Sequence, residues 1–376
     1  MISRLQISDL HLGDPRSTLS NPEVAIRVIA DIADLSNGHV TKLVVAGDAH
    51  EECVPGDMCN LVQGVAASVV NASSHFFGEL FRKVKIDELV VVPGNHDLSA
   101  WAWYARANPS RSIITDYQGC RVPSGDWPWN FFYPGFEGRE ITFAYPIYWD
   151  TAVGGDYPML VTTHGHLFDP LVLGWDPEHE YAELSALGCS RPRVSRDAGE
   201  LTSVKQLAEI TLPFCEQLWS RYSPLGYTYS NYIMRRLNHP QSCPWQTRFN
   251  PWGYYQLEQD DDQPPAGQGY VTNLPWFLQL LIQDLYLPTP VGTLRQGVPS
   301  PALTKPSCVT FGHDHLGTFS KLVACGVPFV AADSGGWTCE YDGHLPHAHA
   351  LVWRKAGQVV PEPYFFKVRT DVGGLL

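Results

Sequence analysis

ELVVVPGNHD, residues 88–97, carries two signals in quick succession. Leu89, Val90, Val91 and Val92 form an unbroken apolar run, too short for an independent helix and suited to a strand buried on both faces. Pro93-Gly94 ends the run, and Asn95, His96 and Asp97 follow at once. The same order recurs along the chain. "RLQIS" precedes Asp9, "KLVVAG" precedes Asp48, "MLVTT" precedes His164 and "CVTFG" precedes His313. Polar side chains just beyond buried strands are where α/β proteins place their chemistry. Between the first runs the periodicity becomes helical. Val24, Val28, Ile29, Ile32 and Leu35 repeat at helical spacing over 22–36, with Asn21-Pro22 as a start signal. Residues 57–82, with Val62, Val65, Ala66, Val69 and Val70, are predicted as a second helix in which Gly64 is the weak point. Alternation of strand and helix predicts an α/β core. After residue 315, "TFSKLVACG", "VPFVAADSG", "HALVWRKAG" and "QVVPEPYFF" read as consecutive strands with glycine-containing turns. Such a meander would close the core as two packed sheets with helices outside.

The chain has 376 residues and 44% hydrophobic content, enough for one large domain or a domain with a sizeable insertion. Its net charge of −13 argues against a broad electrostatic footprint for nucleic acid, although a local basic groove stays open. Nine cysteines, an odd number with no C-x-x-C pair, read as reduced thiols in a cytoplasmic protein rather than as a disulfide framework. The start, "MISRLQISDLHLG", looks like a strand and not like a signal peptide. No window approaches the roughly 18 apolar residues of a transmembrane helix, so none is expected.

The region from 170 to 305 differs in character. It is rich in Trp, Tyr and Pro, with helical patterns at 200–219 and 273–287 and a loop at 262–269. This divides the chain into a first part of the core (1–169), a largely helical, aromatic-rich cap or insertion (170–305) and a second part of the core (306–376). A second aromatic stretch, "DWPWNFFYPGF", spans 126–136. Both aromatic stretches suit packing against the core, or a rim that shapes a pocket. The apolar 273–287 segment suits core packing first, and contact with lipid or with a second copy in a homo-oligomer next.

The strand-end residues are all carboxylate, imidazole or amide oxygen. They are Asp9, His11, Asp48, Asn95, His96, His164, His313 and His315, with no thiolate among them. A donor set without sulfur suits Mn, Fe, Zn or Mg, and it is too large for one ion. The five segments "DLH" (9–11), "GDAHE" (47–51), "GNHD" (94–97), "HGH" (164–166) and "GHDH" (312–315) resemble, in order, the signature blocks of the calcineurin-like metallophosphoesterase superfamily. "DSGGW" (333–337) also resembles a common ending of that family, with Asp333 where Asn is usual. The resemblance covers 1–97 and 158–337 at the level of motifs and offers nothing dependable for 170–305.

The resemblance implies a four-layer αββα sandwich of two mixed β-sheets flanked by helices. It implies two metal ions, one on Asp9, His11 and His315 and the other on Asn95, His164 and His313, with Asp48 bridging. Such a pair polarises a bridging water to hydroxide and stabilises charge on the phosphoryl oxygens. His96 would assist the leaving group, as a side chain that titrates near neutral pH can, and Asp97 would hold its ring. Glu51 is expected to hydrogen-bond backbone or a ligand. His166, Arg191 and Arg193 are candidate substrate contacts, the arginines because a guanidinium suits phosphate. Hydrolysis of a phosphodiester or pyrophosphate bond on a phosphorylated small-molecule or lipid-linked substrate leads. A phosphomonoesterase of the same superfamily comes next, and a nuclease or a non-catalytic scaffold after it.

Overall fold

The computed structural model describes residues 2–14, 17–52, 61–62, 65–150, 160–169, 172, 201, 203–218, 274, 276–281, 307–313, 315, 319–324, 327–338 and 348–366. Fourteen strands are assigned among them: β1 Ile2–Ile7, β2 His39–Val45, β3 Leu61–Val62, β4 Val65–Ala66, β5 Lys85–Val91, β6 Cys120–Pro123, β7 Glu140–Phe143, β8 Ile147–Asp150, β9 Leu160–Thr163, β10 Ser307–Phe311, β11 Phe319–Ala324, β12 Val327–Asp333, β13 His349–Trp353 and β14 Glu362–Phe365. Seven form one mixed sheet in the order β14-β13-β1-β2-β5-β7-β6, and five form a second in the order β11-β12-β10-β9-β8. The runs that end in polar residues are the parallel strands at the centres of these sheets. β1, β2, β5 and β7 pair in parallel in the larger sheet, and β9, β10 and β12 in the smaller.

Side chains alternate across each strand, so each sheet has two distinct faces. On β1, Leu5 and Ile7 join the main hydrophobic core with Leu43, Leu89 and the helical residues Val24, Val28, Ile29 and Ile32. Their neighbours Arg4 and Gln6 face the other way, where Gln6 accepts from Thr310 and Arg4 donates to Asp150 at 2.8 Å across the gap between the sheets. This inter-sheet layer also holds Leu160, Cys308 and Ala332 of the small sheet against Leu351 and Trp353 of the large one. Small residues face large ones, which lets two twisted sheets interdigitate. Lys42 donates to Asp150 and to Tyr148 at 3.0 Å, so the buried carboxylate is shared by two cations. Buried charge is tolerable only when partnered in this way.

Helix α1, Pro22–Ser36, covers the span that the periodicity predicts. Asn21 caps it by accepting the Glu23 N–H, and proline occupies its first turn. The segment predicted as one helix over 57–82 is different. Val62 and Val65 pair across the short hairpin of β3 and β4, and helix begins only at Ala67. Helix α2 (Ala67–Ser73), a π turn (Ser74–Gly78) and α3 (Glu79–Lys83) then follow without a break. β-branched residues around a glycine favour extended pairing over a first helical turn, which explains the late start. The four strands predicted after 315 are present but do not form one meander. β11 and β12 complete the small sheet, whereas β13 and β14 cross to the large one. Periodicity reports that a strand exists, not which sheet accepts it.

Three further helices flank the sheets: α4 Leu98–Ala107, α5 Trp129–Phe132 and α6 Val204–Leu218. The aromatic stretch 126–136 is core on the large-sheet side, with Trp129, Phe132, Tyr133 and Phe136 all buried. Most of 170–305 lies outside the described residues. Of it, α6 packs against α4 and the turn His166–Phe168, and Phe277, in the helical residues 276–281, lies 5.0 Å from Phe168. Among the described residues no helix is long and apolar enough to cross a membrane.

Candidate metal centre

All five polar segments converge where the carboxyl ends of the two sets of parallel strands meet. Three loops leave the large sheet, after β1, β2 and β5, and two leave the small one, after β9 and β10. Backbone hydrogen bonds lock the loops together. Asp9 N–H donates to Gly47 O, His11 N–H to Asp48 O, Gly312 N–H to His164 O and Trp337 N–H to Asp9 O, at 2.9–3.2 Å. The close approach explains the glycines before Asp48 and Asn95. A Cβ on Gly47 would strike the His164 ring, and one on Gly94 would strike the Asp48 carboxylate.

Asp9, His11, Asp48, His313 and His315 have positive φ, between 44° and 77°; Asn37 is the one other non-glycine residue so described. That conformation costs an ordinary residue roughly 1–2 kcal/mol. Its concentration in five of the proposed ligands marks strain held at a functional site by surrounding structure.

The imidazoles have well-defined partners. His164 Nδ1 donates to Ala46 O at 2.9 Å, and its Nε2 lies 3.1 Å from Asp48 Oδ2 and 3.0 Å from Asn95 Oδ1. His313 Nε2 donates to Asp169 at 2.8 Å, and its Nδ1 lies 3.2 Å from His164 Nε2. On the other side His11 Nδ1 meets Glu51 at 3.0 Å, and His315 Nδ1 meets the Thr338 hydroxyl at 2.9 Å. The Nε2 atoms of these two rings then face each other at 3.3 Å, with Asp9 Oδ1 3.3 Å from that of His315. A neutral imidazole has one N–H and one lone pair. With the N–H groups committed outward, two pairs of nitrogen lone pairs point at each other, and only a cation or an extra proton satisfies them. Asp48 lies between the pairs, its Oδ2 3.1 Å from His164 and 3.9 Å from His11.

The donor groups Asp9–His11–His315 and Asp48–His164–His313 are each compact enough to hold a metal ion. Their oxygen and nitrogen chemistry fits a hard or borderline cation. Asn95 lends its Oδ1 to the second group, and its buried Nδ2 has no hydrogen-bond partner. Electrostatics agree. Burial opposes charge on His164, but Asp48 and Asp9 outweigh it and raise the imidazole to about 9. Burial, and then His164, hold His313 well below the ordinary range, so one ring of the pair takes the proton a cation would replace. Asp48 stays ionised well below the usual carboxylate range despite burial, because His164 and His96 face it.

His96 sits at the edge of this centre with its Nε2 4.0 Å from Asp48 Oδ2. Its Nδ1 meets both oxygens of Glu51, at 2.9 and 2.8 Å. Asp97, expected to hold the His96 ring, instead accepts the backbone N–H groups of Ala49 (3.0 Å) and Gly94 (2.6 Å), tying two loops together. The residue next in sequence points its side chain the other way, and Glu51 reaches His96 from the loop that follows β2. Although burial opposes it, His96 and His11 hold the Glu51 carboxyl well below its usual range.

His166 is buried, with its Nε2 3.2 Å from the Tyr145 hydroxyl, in the wall behind His164. Arg191 and Arg193 lie outside the described residues. Asp333 is buried at the end of β12 and accepts the Gly335 N–H at 2.8 Å, forming a turn beside the site. Three partners went unread in the sequence or were read only in outline: Glu51 as the partner of both His11 and His96, Thr338, and Asp169. A carboxylate shortly after a ligand histidine, as in "HGHLFD" (164–169), is the signal available for Asp169.

His50, inside the "GDAHE" block, is no ligand. It is fully buried, stacks 4.2 Å from Phe132 and donates from Nε2 to the Phe132 carbonyl at 3.1 Å. Burial lowers it to about 3 from an ordinary 6.5. The folded state therefore refuses a proton that the unfolded chain accepts below pH 6.5. Stability from this group is complete above that pH and falls by roughly 1.4 kcal/mol per pH unit down to about pH 3. His50→Phe should make the acid limb of the stability–pH curve shallower by about one proton. An unchanged slope in urea melts between pH 6.5 and 4.5 would refute this.

Two sheets with flanking helices, and a cluster of carboxylate and imidazole donors at their meeting edge, suit a metal-dependent hydrolase. The model of the calcineurin-like phosphoesterase family matches residues 2–233, and the chain belongs to that family. Among solved structures it is similar to the crystal structure of a dimetal phosphatase from Danio rerio, with 12% identity and a TM-score of 0.32 over 97% of this chain and 99% of that one. No curated protein matches the chain.

Proposed function

We propose that the protein hydrolyses a phosphodiester or pyrophosphate bond at a two-metal site. Asp9, His11 and His315 would hold one ion, and Asn95, His164 and His313 the other, with Asp48 shared. The observation that carries this reading is the pair of facing lone-pair sets on either side of Asp48 Oδ2. Manganese, iron and zinc all suit the donors. Bound there, the ions would supply Lewis-acid activation of water and of the phosphoryl oxygens. The chain supplies the rest. Asp48 is oriented by accepting the His96 N–H at 2.8 Å, so its other oxygen stays directed at the centre. Glu51 fixes the N–H of His96 on Nδ1 and steadies the imidazolium, leaving Nε2 to deliver a proton to the departing oxygen. Helix α4 starts directly after Asp97, and the partial positive charge of its N-terminus favours a phosphate in front of it.

The bond type is inferred from the insertion. Its aromatic content offers an organic substituent on the phosphate apolar surface to meet, while its helix α6 supports the site from behind, against the turn His166–Phe168. The test is a panel of aryl phosphate monoesters, diesters and triesters with nucleotide and lipid pyrophosphates, each with Mn, Zn, Fe and Mg. Diester or pyrophosphate turnover should exceed monoester turnover in kcat/KM. The opposite order overturns the bond type, and no metal-dependent turnover of any substrate overturns the site.

A further inference from the structure

Of the four histidines in the two donor groups, His313 alone presents Nδ1 to the centre; His11, His164 and His315 present Nε2. Coordination through Nδ1 brings the cation close to the residue's own backbone and leaves little freedom in the ring angle. It also drives Nε2 into the protein interior, where a polar atom needs a partner. That partner is Asp169, 2.8 Å away, with both side chains 1% exposed. The carboxylate is held from several sides. Asp169 ends the turn His166–Phe168, and its own N–H donates to His166 O at 3.2 Å. Phe168, beside it, lies against Phe311 of β10 and Phe277 of the insertion, at 5.5 and 5.0 Å. Cys215 of α6 lies close enough that its thiol, pushed up first by burial, is raised further by the Asp169 charge.

We infer that Asp169 is the positioning residue for His313: by accepting the Nε2 proton it selects the tautomer whose Nδ1 lone pair faces the second metal position. The inference rests on the two-metal reading above. An ionised carboxylate only accepts hydrogen bonds, so the ring has one orientation and one tautomer that satisfy it. The residue is the last of the chain before the insertion, and the insertion's helices pack over it. The insertion thereby bears on the proposed metal centre from behind.

The test compares Asp169→Ala, Asp169→Asn and His313→Ala with the wild type, using stepwise Mn2+ binding by calorimetry and metal content after dialysis. Asp169→Ala should weaken one of the two binding steps by about 10–100-fold and leave the other unchanged. Asp169→Asn, which keeps an acceptor oxygen in the same place, should restore most of that loss. Wild-type affinity at both steps in Asp169→Ala, with one equivalent lost in His313→Ala, would overturn the role of Asp169 alone. Two equivalents retained in His313→Ala would remove His313 from the ligand set and overturn this inference, whereas fewer than two equivalents in the wild type would overturn the two-metal reading. A measurement on the wild type guards against a variant that does not fold: 15N shifts of the zinc-loaded protein should show the His313 proton on Nε2, and a proton on Nδ1 would overturn the inference.

Discussion

Asp48→Ala is expected to empty both metal positions and to lower kcat/KM by at least about a thousandfold, equivalent to roughly 4 kcal/mol of transition-state stabilisation. The residue is placed for this. Its Oδ2 lies within 3.9 Å of a ring in each donor group, and its Oδ1 holds the His96 backbone at 2.8 Å. Removing it separates the two groups and takes the Asp48 acceptor from a half-buried N–H, and loss of a buried acceptor costs at most about 1–3 kcal/mol. Asp48→Asn is the informative companion. It keeps the acceptor for His96 but loses the charge that binds two cations, so it should fold like the wild type and still fail to retain two equivalents. Metal analysis after dialysis, with circular dichroism as the control for folding, separates the outcomes. Two equivalents and ordinary turnover in Asp48→Asn would sink the shared-ligand role.

His96→Ala should retain both metals and lose about 10²–10⁴-fold in turnover, the range of a lost general acid. The loss should grow with the pKa of the leaving alcohol, because a poor leaving group needs its proton earlier. A series of aryl diesters with the metal content measured alongside checks both halves. Equal slowing across the series would mean that His96 merely supports the loop. The geometry predicts more than the identity of the residue. Glu51 touches His96 and His11 at once, so it links the candidate proton donor to a proposed metal ligand through one carboxylate.

Much of the site was legible because its residues follow buried strands. A run such as Leu89–Val92 ending in Pro93-Gly94 says that a strand stops there, and the fold then has few ways to arrange several such strands. α1 was legible for a similar reason, since a cap, a proline and a 3.6-residue period all agree over Pro22–Ser36. The onset of α2 was not. Val62 and Val65 satisfy a helical period as well as a strand pair, and local pattern cannot choose between them. Nor could the division of the last four strands between the sheets be read, because β12 and β13 have the same kind of sequence and differ only in their neighbours.

The amino-acid sequence by itself determined the α/β class, the donor types, their order and their placement beyond the strands. These depend on local runs of residues and on the chemistry of each side chain. Only the tertiary structure decided which nitrogen of each histidine faces inward and what holds the other one. Glu51 serves His96 although Asp97 is its neighbour in the chain, and Asp169 serves His313 from 144 residues away. Hydrogen bonds act over about 3 Å of space, and a distance along the chain says nothing of that until both sheets have packed.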